Sequence, residues 1–205
     1  MDNKPGTRIY RLWAPIYDAA FDRIFSQARC RAIELLDLRP GERLLIPGIG
    51  TGLDLPYLPT GVSVAGTDLS SEMLVKARPK VDDHEVALLK MDAQVLGFTD
   101  YSFDAILLNL ILTVVPDGAI AFGEAWRVLK PGGRAVIFDK FLPEGSIVTP
   151  GRRWLGRLLS ALGTDPNRRL SEIISGTPDL IVQRDEPGLL RGQYRLLLLQ
   201  KAKDI

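Results

Sequence analysis

The stretch LLIPGIGTG, Leu44 to Gly52, decides how this chain folds. An apolar run with the character of a buried strand leads directly into Gly48, Gly50 and Gly52. Glycine has no Cβ, so such a segment turns tightly and brings backbone amides close to a ligand. A glycine loop between a strand and a helix N-terminus suits a nucleotide-like cofactor. Alternate glycines also occur in plain turns, so the loop takes its meaning from its surroundings.

On both sides of the loop, short apolar strand candidates alternate with helical stretches. The strands are Arg43–Pro47, Val62–Thr67, Val86–Met91, Ala105–Asn109 and Ala135–Asp139, followed by Leu180–Gln183 and Tyr194–Gln200. The first five are apolar nearly throughout, as strands covered on both faces must be. Ser70 or Ser71 caps a helix through Met73 and Ala77 that Pro79 ends. Asp117 caps a second helix running to Leu129, where Lys130 complements the dipole and Pro131-Gly132-Gly133 stops the helix. This alternation predicts a seven-stranded, mostly parallel α/β sheet with helices on both faces. The last two strands have no helix between them, and Pro187-Gly188 marks a closing antiparallel hairpin. Residues 1–40 read as a mostly helical N-terminal lid interrupted by Pro15. Residues 140–178 read as an insertion over the mouth of the sheet, all within one domain spanning 1–205.

The totals fit that reading. A chain of 205 residues, 46% apolar and 25% charged, is large enough for a substantial core. A formal net charge of +1 argues against a polyanion-wrapping protein. The single Cys30 excludes an internal disulfide and any multi-cysteine zinc site, so no metal is expected and a reducing cytoplasm fits. The single His84, among Asp82, Asp83 and Glu85, reads as a solvated loop histidine. The polar start MDNKPGTR carries no secretory signal, and no apolar run approaches a membrane span.

Ligands of open α/β sheets bind beyond the carboxyl ends of the strands, where the strand order reverses. Each core strand offers something there. The second ends at Asp68, in GTDLSSEML, where a carboxylate can accept both hydroxyls of a ribose. The third ends at Met91-Asp92-Ala93, where Asp92 can accept from an adenine amino group. The fourth ends at Asn109 and the fifth at Asp139. Singly, Asp68 and Asp92 also read as turn residues or helix caps. Their placement after successive strands favours a site.

LLIPGIGTG, GTDLSSEML, KMDAQ, FDAILLNLILTVV and WRVLKPGGRAVIFD resemble, in order and spacing, the class I S-adenosylmethionine-dependent methyltransferases with their Rossmann-like sheet. The resemblance implies that Gly48, Gly50, Thr51 and Gly52 line the methionine part of the cofactor. Asp68 would bind the ribose, with Leu69 and Met73 on the adenine, and Asp92 and Ala93 would hold the adenine edge. Asn109 and Leu110 would lie under the methionyl and sulfonium region. One departure stands out. The family usually has an acid two places before the first glycine, and here that place is Ile46, followed by Pro47. Asp54 and Asp18 are candidates to stand in for it.

Within the class, YRLWAPIYDAAFD resembles the N-terminal segment of quinone-biosynthesis C-methyltransferases and of bacterial phospholipid N-methyltransferases. In the latter it folds over the cofactor, which implies Tyr17 at the active site; ordinary helix packing is the alternative reading. FDKFLP and the small size look more like the phospholipid enzymes. Methyl transfer is an in-line displacement, served mainly by alignment of a nucleophile about 3 Å from the methyl. A phospholipid amine must be neutral to attack, and Tyr17, Asp18 or Asp139 can take its proton. The Pro-Pro-aromatic motif of nucleic-acid amine methyltransferases is absent after the fourth strand, so nucleic acid is not the expected substrate. A nicotinamide-dependent dehydrogenase shares the glycine loop but not Asp92 or RVLKPGG. A non-catalytic cofactor-binding protein is the other rival, and Ile46 is what favours it. Finally, Gly151–Leu170 carries Arg152, Arg153, Arg157, Arg168 and Arg169 against Asp165, an excess of four positive charges. Trp154, Leu155, Leu158, Leu159 and Leu162 recur there at helical spacing. The segment reads either as a helix covering the sheet or as a contact with anionic membrane at the inner face of the cell membrane.

Overall fold

The structure, a computed structural model, describes residues 25–81, 85–143, 145, 167–188 and 193–203. Seven strands form one sheet: β1 (Arg43–Pro47), β2 (Ser63–Asp68), β3 (Glu85–Lys90), β4 (Phe103–Asn109), β5 (Leu129–Lys140), β6 (Leu180–Pro187) and β7 (Tyr194–Lys201). Their spatial order is β3-β2-β1-β4-β5-β7-β6. The first five run parallel, and β7 lies antiparallel to both β5 and β6. Among the described residues four α-helices accompany them: α1 (residues 25–36), α2 (Ser71–Ala77), α3 (Gly118–Val128) and α4 (Leu170–Ile174).

Period-two alternation divides the apolar strand residues between two cores. Ile106 and Leu108 of β4 with Ala135 and Ile137 of β5 face α3 and α4, against Ala121, Phe122, Ala125, Leu170 and Ile173. Ala105, Leu107, Val136 and Phe138 face the other way, onto Ala28, Ala32 and Leu36 of α1. β1, β2, β4 and β5 are thus covered on both sides, as expected, whereas β3, at the edge of the sheet, alternates between exposed and half-buried residues because only one neighbour strand flanks it.

The helix signals resolve in detail. Ser70, not Ser71, caps α2, its hydroxyl accepting from the Met73 amide at 3.3 Å. Asp117 caps α3, accepting from the Ala119 and Ile120 amides at 2.9 and 3.1 Å. The end of α3 differs from the sequence expectation. Lys130 turns away to Asp104, with its Nζ at 2.6 Å from Oδ1. The carbonyls of Trp126 and Leu129 are met instead by the buried Lys201 Nζ of β7, at 2.7 and 3.2 Å. A lysine remote in sequence therefore takes the capping role that charge at a helix C-terminus favours. Pro131-Gly132-Gly133 lies within the ladder of β5, where Gly132 has φ of +75° and the pairing with β4 slips a register. The β3–β4 connection carries no helix, only the Asp92–Val95 bridge.

His84, residues 1–24 of the N-terminal segment and residues 146–166 of the insertion lie outside the described residues. Among those described, no helix is long and apolar enough to cross a membrane.

Candidate functional site

The strand order reverses between β1 and β4, so the loops after these strands flank the switch point where open α/β sheets bind ligands. Gly48, Gly50 and Gly52 have φ of +67°, +57° and +76°, a region that L side chains rarely enter. Each glycine has a different neighbourhood. A Cβ on Gly48 would collide with Ile111, and one on Gly52 would press on Ala77. A Cβ on Gly50 would meet nothing nearer than the Gly48 carbonyl at 4.0 Å. The middle of the loop is therefore open to a ligand, while its two ends are packed. Lys80 Nζ donates to the Thr51 carbonyl at 2.6 Å and Ile49 N–H to the Thr67 carbonyl at 2.9 Å, so the loop is held from both sides.

Asp68 joins this loop to α2. Its Oδ2 accepts from the Gly50 amide at 2.9 Å and its Oδ1 from the Ser70 amide at 2.8 Å. Burial pushes its carboxyl above the ordinary range, and the amides of Ser70, Gly50 and Leu69 oppose that shift. The Leu69 side chain beside it is 66% exposed, an apolar surface open to a planar ring, and Met73 is half-buried one turn into α2. Asp92 Oδ1 accepts from the Gln94 amide at 2.8 Å, which sets a tight turn after β3, and Ala93 is buried against the core. The glycine loop, Asp68 and Asn109 thus lie at the carboxyl ends of three adjacent strands, with Asp92 just past the end of the fourth.

After β4 the chain bends sharply. Leu110 has φ of +57°, an uncommon conformation for leucine, and its amide donates to the Phe138 carbonyl at 2.8 Å. Asn109 is 6% exposed and donates from Nδ2 to Asp54 Oδ1 at 2.7 Å. The same oxygen accepts from Arg29 Nη1 of α1, also at 2.7 Å. Two buried polar atoms of this group, Asn109 Oδ1 and Arg29 Nε, have no partner. Ile46 is buried in the apolar core against α1, so no carboxylate stands at that place on β1. The Arg29–Asp54–Asn109 group is what sequence reasoning missed. Asp54 was legible as an acid two residues past the glycines. Nothing in the spacing links it to an arginine 25 positions upstream.

Two sequence expectations need correction. Asp139 does not fit as a proton acceptor, because it is 0% exposed and its oxygens are committed. They accept from Thr113 N at 3.1 Å, Thr113 Oγ1 at 2.7 Å and Lys140 N at 2.8 Å. Burial pushes this carboxyl up as well, against those hydrogen bonds. Asp139 fastens the β4–α3 loop to β5. Arg168 does not fit as part of the basic face for an anionic membrane, because its Nη1 and Nη2 donate to the carbonyls of Leu112 and Pro116 at 2.6 and 2.7 Å. It anchors the end of the insertion on the loop at the mouth of the sheet. Tyr17 and Asp18 lie outside the described residues. Among the described residues, no cluster of His, Cys, Asp and Glu is placed to hold a metal ion.

These features fit a cofactor with a ribose, a base and a polar amino-acid tail. An open glycine cradle, a carboxylate held by backbone amides beside an exposed leucine, and unpaired buried polar atoms at the switch point supply what each part needs.

Comparison with known proteins agrees. The profile of a methyltransferase domain matches residues 45–137. The phosphatidylethanolamine N-methyltransferase of Cereibacter sphaeroides is 33% identical over 199 residues, 95% of this chain and 97% of the relative. The demethylmenaquinone methyltransferase of Thermus thermophilus is 35% identical over 161 residues, 73% of each chain. Among solved structures, a methyltransferase from Thermotoga maritima shares the fold with a TM-score of 0.67 at 21% identity, covering 95% of this chain and 99% of that one. A match of this extent, on this strand order and this loop, makes the chain a class I S-adenosylmethionine-dependent methyltransferase.

Proposed function

We propose that this enzyme methylates the amine of a phospholipid headgroup, as in phosphatidylethanolamine N-methylation. The observation that carries this reading is the match to a phosphatidylethanolamine N-methyltransferase along almost the whole of both chains. A second reading, C-methylation of a quinone-like ring, has support from relatives of similar identity that align over a smaller share of the chain.

In this reading Gly48, Gly50, Thr51 and Gly52 cradle the methionine part of the cofactor. Asp68 accepts from the ribose hydroxyls, and Leu69 and Met73 pack on the adenine. Asp92 and Ala93 border the adenine edge, and Asn109 and Leu110 underlie the sulfonium. When bound, S-adenosylmethionine supplies an electrophilic methyl group. Of the N-terminal segment, α1 packs into the core beneath the sheet and is no part of a lid; the proposed lid is residues 8–24, which would exclude water and bring Tyr17 and Asp18 to the amine. With Asp139 enclosed, Tyr17 and Asp18 are the candidates to take the amine proton, directly or through water.

The test is incubation with labelled S-adenosylmethionine and vesicles of phosphatidylethanolamine, or separately with a demethylated quinol. Label is expected in the phospholipid, at a rate that rises with pH as the ammonium loses its proton. Label in the quinol alone would establish the second reading.

The phospholipid reading also implies a membrane contact through residues 151–170, on the inner face of the cell membrane. With Arg168 engaged, Arg152, Arg153 and Arg157 carry the proposed contact. Each basic contact with an anionic surface contributes about 1 kcal/mol at most, so binding is reversible and sensitive to salt. In co-sedimentation at low salt, wild type is expected with anionic vesicles and not neutral ones, and Arg152→Glu/Arg153→Glu in the supernatant. Wild type remaining in the supernatant would count against the contact.

A further inference from the structure

We infer that Asp54 and Asn109, held in place by Arg29, bind the amino-acid end of S-adenosylmethionine. This rests on the cofactor assignment above and adds a binding group to it.

The inference starts from how the three side chains satisfy one another. Both hydrogen bonds to Asp54 converge on Oδ1, from Arg29 Nη1 and Asn109 Nδ2, each at 2.7 Å. Its second oxygen takes part in neither. Asn109 gives its amide nitrogen to the carboxylate, which fixes the flip of the amide and leaves Oδ1 as the unused acceptor. Arg29 leaves Nε–H as an unused donor. Buried polar atoms are almost always paired, and leaving them unpaired costs free energy. One buried acceptor, one buried donor and one carboxylate oxygen outside the pairing therefore sit together in an otherwise satisfied network.

Their position says what completes the set. Asn109 ends β4 and Asp54 lies two residues past Gly52, so the group sits beside the glycine loop at the switch point. The cofactor tail that enters here is a zwitterion. Its ammonium brings donors for Asp54 Oδ2 and Asn109 Oδ1, and its carboxylate brings an acceptor for the arginine. The Asp54 carboxylate already neutralises Arg29 and would offer its second oxygen to the ammonium. Ile46 leaves β1 without an acid, so the negative charge that an ammonium requires comes from Asp54. The pairing with Arg29 also joins α1 to this group.

Two probes separate this from a structural role. S-adenosylhomocysteine carries the amino-acid end, whereas 5′-methylthioadenosine keeps the nucleoside and thioether without it. By calorimetry, wild type is expected to bind the first more tightly. Asp54→Asn is expected to weaken it by about tenfold or more, the scale of one charge-assisted hydrogen bond, while 5′-methylthioadenosine binds within about twofold of wild type. Asn109→Leu leaves the Arg29–Asp54 pair intact and is expected to give the same pattern, so the test survives if Asp54→Asn does not fold. Equal loss for both probes, or no loss for either, overturns the inference. Wild type that binds both probes equally also overturns it while leaving the cofactor assignment standing. Wild type that binds neither overturns both.

Discussion

Asp68→Ala is expected to lower the affinity for S-adenosylhomocysteine by about 3 kcal/mol, on the order of a hundredfold, while the sheet stays folded. Two contributions add to this. In the proposed role the carboxylate accepts charge-assisted hydrogen bonds from the ribose, which alanine cannot replace. It also accepts from the Gly50 and Ser70 amides at 2.9 and 2.8 Å, so its removal loosens the middle of the glycine loop and the start of α2 together. Fold stability changes less, because Ser70 Oγ still caps α2 and Lys80 still holds the Thr51 carbonyl. The pH dependence gives an independent check. Burial holds the Asp68 carboxyl above the ordinary carboxylate range, so acidification protonates it early and the affinity falls before ordinary carboxylates titrate. For folding the sign is opposite. A raised native pKa penalises the ionised form in the folded state, so this group's contribution to stability improves as pH falls through that pKa. Asp68→Asn should therefore lose the acid sensitivity of binding while keeping much of the loop geometry. Calorimetry of S-adenosylhomocysteine over a pH series measures both effects, and unchanged affinity in Asp68→Ala would remove Asp68 from the ribose site.

The parts of this molecule written in local pattern were legible in the sequence. Five apolar runs with turn residues between them marked the parallel sheet, and four of them, β1, β2, β4 and β5, are apolar because a strand covered on both faces has no polar side to show. Ser70 and Asp117 were readable as caps because a cap acts within three residues of itself. Lys201 was not legible as the group that meets the carbonyls ending α3, since its strand lies more than 70 positions away along the chain. The roles of Arg29 and Arg168 were equally hidden. Each is one arginine among many until the fold sets it against Asp54 or against the carbonyls of Leu112 and Pro116. Asp139 shows the reverse error. Its position at the end of β5 resembled that of Asp68 at the end of β2, but Thr113 comes from the β4–α3 loop and encloses it. A strand end says that a carboxylate is near the mouth of the sheet. Whether it faces the ligand depends on what packs over it, which is tertiary information.

Phe138→Ala is expected to destabilise the fold by about 3–5 kcal/mol, a large share of the roughly 5–15 kcal/mol that holds a domain together. Phe138 is completely buried, and its ring is the floor on which α1 and β7 meet. It lies edge-on to Phe25 of α1 at 5.7 Å and tilted against Tyr194 of β7 at 5.7 Å, and these two rings are 5.2 Å apart. Truncation leaves a cavity between a sheet and a helix, neither of which can close it without moving. The consequence reaches the site, because α1 carries Arg29 and the Phe138 carbonyl holds the strained Leu110 through its amide at 2.8 Å. Folded Phe138→Ala should therefore bind S-adenosylhomocysteine more weakly as well. Saturating ligand should recover part of the lost melting temperature, since it binds the native state alone. Phe103→Ala supplies the comparison. Phe103 is equally buried at the opposite end of the sheet, packed edge-on against Phe98 at 4.9 Å and under the Arg43 guanidinium at 5.1 Å. Its truncation should cost a similar amount of stability and leave the affinity of the folded protein unchanged. Denaturant unfolding with and without S-adenosylhomocysteine reads both quantities. If the two variants lose affinity equally, α1 is not held to the cofactor site through this aromatic cluster, and the link from sheet core to Arg29 is broken.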